Sequence, residues 1–372
     1  MITDIIKNYE WTPDPRWDNQ ILTYDRKKFN WAEQVLEVVR ELRPRLDSLE
    51  NTHLYFTSSE LVTLRQHLEK FTNSRHFSVQ IDEFFYEYVK PLVKCDDYLV
   101  QKTSGIRLVV PEQEKLGRLL SFHTGYWTGY SNDMGTVWTP LSRAFDSNTM
   151  QVVSWEDSKK IMKRIHLEKL SIDMVQQLCA ECMQPVEIEV GQSWLFNQGH
   201  LHGNINNTTG ISRVSFDTRY ALPNGVFGPR RVGGFFRLQH THAELDRSKI
   251  QPGSWVVFVD QNSEYIGNIP HYVVREFLMQ TTKALNIKVL EWSNEYWGCT
   301  WMPKLLDFVN KTTLNGLVLP SIHAFSGDVD LRMSMFKTAI SNGQQLLFVD
   351  EQILISKVSE LSLLDKLYSI GN

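Results

Sequence analysis

The chain has 372 residues, 42% hydrophobic and 22% charged, with a formal net charge of −4. A single core stops growing near ~250 to 300 residues, so two domains are expected, and the ordinary charge content carries no basic stripe for nucleic acid. No run reaches the ~20 apolar residues of a membrane span, and four cysteines make no disulfide framework.

The opening residues lack a basic stretch followed by an apolar one, so a soluble, unexported, cytoplasmic protein is expected. Cys179-Ala180-Glu181-Cys182 has no second nearby pair of the kind a structural zinc site requires. Residues 1–96 read as a helical region packing on the β-rich core, with Trp31, Val35, Val38, Val39 and Leu42 and then Leu61, Leu64, Leu68 and Phe71 at helical spacing.

From about residue 97 the texture changes to short β-rich runs at 98–100, 106–110, 119–122 and 135–138, and later at 186–190, 193–196 and 212–216. Short strands with turns between them, interrupted by a helical insertion around 156–182, predict a double-stranded β-helix (jelly-roll or cupin) core over 97–222. The N-terminal part of the chain is therefore α+β in class. Pro223, Gly225, Gly228, Pro229, Gly233 and Gly234 break regular structure and mark a linker over 223–253. Over 254–372 strands alternate with amphipathic helices, which predicts an α/β domain with a mostly parallel sheet covered on both faces.

The chemistry concentrates between these boundaries. In His123-Thr124-Gly125 a histidine is followed two residues later by glycine, where a strand-end chelate would carry a second ligand on the same face. A distal imidazole is expected on a later strand. His200 and His202 both qualify, and His202 is the better candidate because Arg213 comes eleven residues later, with Ser215 beside it. An arginine can grip a carboxylate bidentately, and a hydroxyl on the same face adds a third contact. His240 and His242 form another i, i+2 pair, but in the linker, where an exposed polar role is expected.

Residues 97–221 resemble the phytanoyl-hydroxylase-like branch of the Fe(II)/2-oxoglutarate-dependent oxygenases, of the type found in carbohydrate gene clusters. The motifs that carry the resemblance are 122–129 (FHTGYWTG), 138–141 (WTPL), 148–150 (NTM) and 202–217 (HGNINNTTGISRVSFD). The resemblance implies iron held by His123 and His202, with His200 nearby, 2-oxoglutarate anchored by Arg213 and Ser215, and oxygen as co-substrate. Trp138, Asn148 and Asn204 are implied as neighbours of the metal or the substrate.

Relatives carry His-x-Asp where this chain has Gly125, and that departure resembles the iron/2-oxoglutarate halogenases, in which chloride takes the vacated corner. Three readings of Gly125 stand: a halogenase acting on a sugar, sugar nucleotide or related small molecule; a hydroxylase using water or another carboxylate such as Asp133; and a non-catalytic sugar-binding module. Residues 254–355 resemble small proteins encoded in carbohydrate clusters and, in strand and helix order, the catalytic domain of serine recombinases. A scaffold for homodimerisation or substrate presentation is expected there. Asp260 and Asp350 read as solvated strand ends, and Trp292, Trp297 and Trp301 as a domain interface.

Overall fold

The computed structural model describes residues 18–94, 98–112, 121–128, 130, 133–222, 236–239, 245–263, 271–326 and 328–369. The chain divides into two compact units, Met1–Cys95 with Val100–Pro229 and Asp96–Leu99 with Arg230–Asn372. Most of the glycine- and proline-rich linker, with His240 and His242, lies outside the described residues.

In chain order the first elements are β1 (Gln20–Thr23), α1 (Trp31–Leu42), α2 (Ser58–Thr72), α3 (Arg75–Phe84), β2 (Tyr98–Gln101), β3 (Gly105–Val109), β4 (Met134–Pro140) and β5 (Gln151–Val153). Next come α4 (Trp155–Glu168), α5 (Ile172–Cys182), β6 (Met183–Pro185), β7 (Gln192–Asn197), β8 (His202–Gly203) and β9 (Arg213–Ala221). Helices α4 and α5 begin where a serine side chain satisfies a free N–H group. Ser154 Oγ accepts from Asp157 N at 3.1 Å and Ser171 Oγ from Met174 N at 3.3 Å.

Antiparallel pairing runs β1 to β7, β7 to β4, β4 to β9 and β9 to β3. A smaller antiparallel sheet pairs β6 with β5 and β5 with β8, and His123 extends it through a two-residue bridge to His202. The first unit is thus a mixed α/β structure with its strands in antiparallel sheets.

Alternation along β9 divides its side chains between two environments. Val214, Phe216, Thr218 and Tyr220 face the helices, where Phe216 meets Trp31 and Phe77 with ring centroids 5.0 and 5.2 Å away. Covering a phenylalanine in this way contributes roughly 1.5–3 kcal/mol. Arg213, Ser215, Asp217 and Arg219 take the other face, together with residues opposite them in register: Arg107 on β3 beside Ser215, and Thr136 and Trp138 on β4 beside Arg219 and Asp217. Trp194 and Phe196 on β7 continue that face.

Two expected strands differ. Residues 119–120 lie outside the described residues, while 121–122 are irregular and Gly125–Thr128 forms a 3₁₀ turn, so Gly125 does not follow His123 along a strand. Over 186–190 the expected ladder is replaced by one bridge, Ala144 to Ile188. Val186 and Ile188 alternate because both are buried against Trp138, Trp194 and Phe196, which requires an apolar face and no strand partner.

The second unit holds β10 (Phe236–Gln239), β11 (Ser254–Val259), α6 (His271–Ala284), β12 (Lys288–Asn294), α7 (Pro303–Val309), β13 (Gly316–Leu319), α8 (Val329–Ser341), β14 (Gln345–Phe348), β15 (Ile353–Ile355) and α9 (Leu361–Ser369). Its sheet runs β12-β11-β13-β14-β15, parallel except for the last pair. Val274 and Leu278 of α6 pack on Trp255, Val257, Val318 and Leu347. On the opposite face Phe308 of α7 and Phe336 of α8 meet Phe258 and Phe348.

Asp260 is not a solvated strand end. It is fully buried, and its carboxylate accepts from Asn262 N at 3.0 Å and Ser326 Oγ at 2.6 Å, joining the loops after β11 and β13. Asp350 is buried as well. Trp297 and Trp301 are exposed on this unit. Among the described residues no helix is long and apolar enough to cross a membrane.

Candidate active site

The bridge between His123 and His202 is closed by reciprocal backbone hydrogen bonds, each 3.0 Å, which brings the two rings to 4.5 Å between centroids. His123 Nδ1 lies 2.9 Å from the Ser121 carbonyl and His202 Nδ1 lies 2.8 Å from the His200 carbonyl. A carbonyl only accepts, so each Nδ1 carries the ring proton and each Nε2 lone pair is left for an electrophile. Burial holds both imidazoles below the usual histidine range; Arg107 and Arg219 add to this at His123, and His123 adds to it at His202. Two neutral imidazoles with anchored Nδ1–H groups form a donor pair suited to a divalent first-row metal.

Among the described residues no group of three His, Cys, Asp or Glu side chains converges to hold a metal. Gly125 is fixed by its own backbone, donating to Gln198 O at 2.8 Å and accepting from Tyr130 N at 3.1 Å. A Cβ built on Gly125 would overlap Gln198 Oε1 and lie 2.8 Å from Gln198 Cβ. Gln198 is 1% exposed and donates from Nε2 to Thr136 Oγ1 at 2.6 Å. The volume into which a side chain at 125 would extend is therefore filled by Gln198. Asp133 accepts from Leu222 N through its carbonyl at 2.9 Å, and its charge acts on Tyr126. The acid whose charge acts on His123 is Asp217.

Arg213 is 2% exposed, and only one of its hydrogen bonds is made, from Nη2 to Asn204 Oδ1 at 3.2 Å. Its Nε and Nη1 are buried without an acceptor. Burial, with the nearby Arg107, pushes its pKa down to about 9 despite the opposing charge of Asp217. A buried guanidinium with two of its three nitrogens lacking an acceptor is costly, and a carboxylate bound side-on would offset that cost. Ser215 Oγ accepts from Trp138 Nε1 at 3.1 Å, which leaves the Ser215 proton to donate, and the Arg213 guanidinium lies 5.4 Å over the Trp138 ring.

The remaining sequence candidates have more local places. His200 is held on both ring nitrogens, by Asp18 Oδ2 at 3.0 Å and by the Val153 carbonyl at 3.2 Å, so both nitrogens are already engaged with other groups. Asn148 is committed to the 143–145 turn, accepting from Phe145 N at 2.9 Å and donating to Arg143 O at 3.3 Å. Cys179, Cys182 and Cys299 are free thiols, and burial pushes Cys179 up to about 12.

Sequence reasoning missed Arg107, Asp217 and Arg219. Asp217 accepts from Arg219 Nη1 at 2.7 Å and from Arg107 Nε at 3.2 Å. Burial works against its charge, but the two arginines outweigh burial and hold the carboxyl below its ordinary range. The signal was present: Arg213, Ser215, Asp217 and Arg219 are one period-two series, of which only the first two members stand out as a co-substrate anchor.

No protein-family model matches the chain, and no curated protein does. Solved structures of low similarity include a non-heme monooxygenase, the ThoJ–Ni complex, at 16% identity over 62% of this chain and 78% of that one, with a TM-score of 0.36. EctD from S. alaskensis, with 2-oxoglutarate and 5-hydroxyectoine, is 12% identical over 60% of this chain and 83% of its own, with a TM-score of 0.39. A resolvase-family site-specific recombinase from Streptococcus pneumoniae is 10% identical over 31% of this chain and 87% of its own, at a TM-score of 0.27.

Proposed function

We propose that the chain is an Fe(II)/2-oxoglutarate-dependent oxidoreductase with a jelly-roll core, in which His123 and His202 hold iron and Arg213 with Ser215 holds the far carboxylate of 2-oxoglutarate. The observation that carries this reading is the orphaned Arg213 guanidinium, buried in the same first unit as two neutral imidazoles whose Nε2 atoms are free. The donor set fits both groups: two imidazoles suit the metal, and a buried cation with a neighbouring hydroxyl suits a carboxylate.

Iron, bound with 2-oxoglutarate, supplies oxygen activation and removal of a hydrogen atom from carbon. The chain's own residues bind and orient. The Ser121 and His200 carbonyls fix the two imidazole planes through Nδ1. The Trp138 indole sets the Ser215 hydroxyl, and Asn204 holds one edge of the Arg213 guanidinium. Phe196, 5.1 Å from the His202 ring, keeps water off that imidazole's apolar side.

The outcome we infer is halogenation, with chloride completing the metal's ligands where position 125 offers no carboxylate, on a sugar, sugar nucleotide or related small molecule. Gln198 supports it, because its packing leaves no volume for a carboxylate at 125. The second reading is hydroxylation, with water or a carboxylate such as Asp133 completing the metal's ligands; Asp217 is not offered for that role, because Arg219 and Arg107 hold both of its oxygens.

Anaerobic titration with Co(II) and then 2-oxoglutarate tests the binding assignment, and product mass from protein supplied with Fe(II), 2-oxoglutarate and O2, with and without chloride, tests the outcome. His202→Ala is expected to lose the metal and His200→Asn to keep it. Arg213→Gln is expected to keep the metal and lose 2-oxoglutarate affinity by ~1.5–3 kcal/mol, the worth of a charge-assisted hydrogen bond. A hydroxylated product at saturating chloride would replace halogenation by the second reading.

A further inference from the structure

The imidazole-facing side of β9 carries more cationic charge than the co-substrate uses. Beyond Arg213 stand Arg107 and Arg219, and between them a single carboxylate, Asp217, whose Oδ1 is taken by Arg219 Nη1 at 2.7 Å and whose Oδ2 by Arg107 Nε at 3.2 Å. Asp217 can neutralise one of these two guanidiniums. Two guanidiniums therefore share one carboxylate, and one positive charge remains after Arg213 is assigned to 2-oxoglutarate.

That charge is built in. Gly105 opposes Asp217 in register, and a Cβ there would come within 3.0 Å of Asp217 Oδ1, so the glycine makes room for the carboxylate. Arg219 lies 4.7 Å over the Tyr130 ring and donates from Nη1 to Gln101 Oε1 at 3.1 Å, while its Nε is buried without an acceptor. Arg107, with a side chain 39% exposed against 15% for Arg219 and a buried Arg213, can be reached from solvent. A purely structural ion pair would need one cation for one acid; a second, solvent-reachable one serves an incoming anion.

We propose that the organic substrate carries an anionic group, a phosphate or a carboxylate, which docks on Arg107 and Arg219 beside His123, with Asp217 as the positioning residue that holds the two guanidiniums in place. This rests on the iron and 2-oxoglutarate reading and narrows its substrate class to the phosphorylated or acidic members.

The test is calorimetry on protein saturated with Co(II) and 2-oxoglutarate, titrated with glycerol 3-phosphate, glycerate and glycerol, which share one skeleton and differ in charge. Binding of one anion at least tenfold tighter than glycerol is expected, and which anion wins separates phosphate from carboxylate. Arg107→Gln is expected to weaken that binding at least tenfold while leaving Co(II) and 2-oxoglutarate affinities within about twofold. Equal binding of charged and neutral ligands, or an unchanged Arg107→Gln, overturns the proposal. Should Co(II) or 2-oxoglutarate fail to bind the parent protein, the iron reading falls instead. The same anion titration on metal-free protein, read by thermal shift with and without Arg107→Gln, then decides the anion site by itself.

Discussion

Gly125 and Gln198 are 73 positions apart in the sequence, yet each accounts for the other. The glycine has no side chain because the glutamine lies where one would begin, and the glutamine is held there by Thr136. Gly125→Asp is therefore not a simple restoration of a ligand. Alone, it forces Gln198 out of a buried hydrogen bond, and a loss of ~1–3 kcal/mol in stability is expected, measured by urea unfolding. Combined with Gln198→Ala the slot is open. The double variant should recover much of that stability, bind Co(II) more tightly than the parent and no longer respond to chloride. A double variant as unstable as the single one would mean that something other than Gln198 fills the slot. The pairing could not be read from the sequence, because nothing local in Asn197-Gln198-Gly199 points to a glycine in a distant turn.

At the scale of elements, β9 shows what alternation can and cannot convey. Its two faces were legible: every second residue from Val214 is apolar or small, and every second residue from Arg213 is polar. Which face meets helices and which meets the imidazoles depends on partners elsewhere in the chain, as does the choice between His200 and His202, on which the Asp18 contact to His200 bears. The 3₁₀ turn at Gly125 was hidden for the same reason, since its hydrogen bonds go to Gln198 and Tyr130. Phe216 joins the two faces of this strand, because Trp31 and Phe77 clamp it from behind while its neighbours Ser215 and Asp217 lie on the opposite face. Phe216→Ala is expected to cost about 3–5 kcal/mol in unfolding free energy. It should also weaken 2-oxoglutarate binding without touching a polar group of the site. Unaltered binding in a destabilised protein would separate the two faces.

For the first unit as a whole, the neutral imidazoles tie stability to pH. His123 and His202 titrate below the free-histidine value of about 6.5, so between that value and their folded ones the unfolded chain binds more protons than the folded chain. Stability must then fall as pH falls through this window. Metal-free protein is expected to show a lower urea midpoint at about pH 5.5 than at about pH 7.5, with His202→Gln narrowing the gap. A midpoint level across the window in the parent protein would contradict the burial described for these rings.

The bridge between His123 and His202 leads one step further. Because two reciprocal backbone bonds already pair these residues, the proposed ligand pair is preorganised, and an arriving ion would have little chain entropy to overcome. Amide protons at 123 and 202 should accordingly resist exchange with deuterated water before any metal is added. Metal uptake should be a single second-order event, with no slow ordering phase behind it.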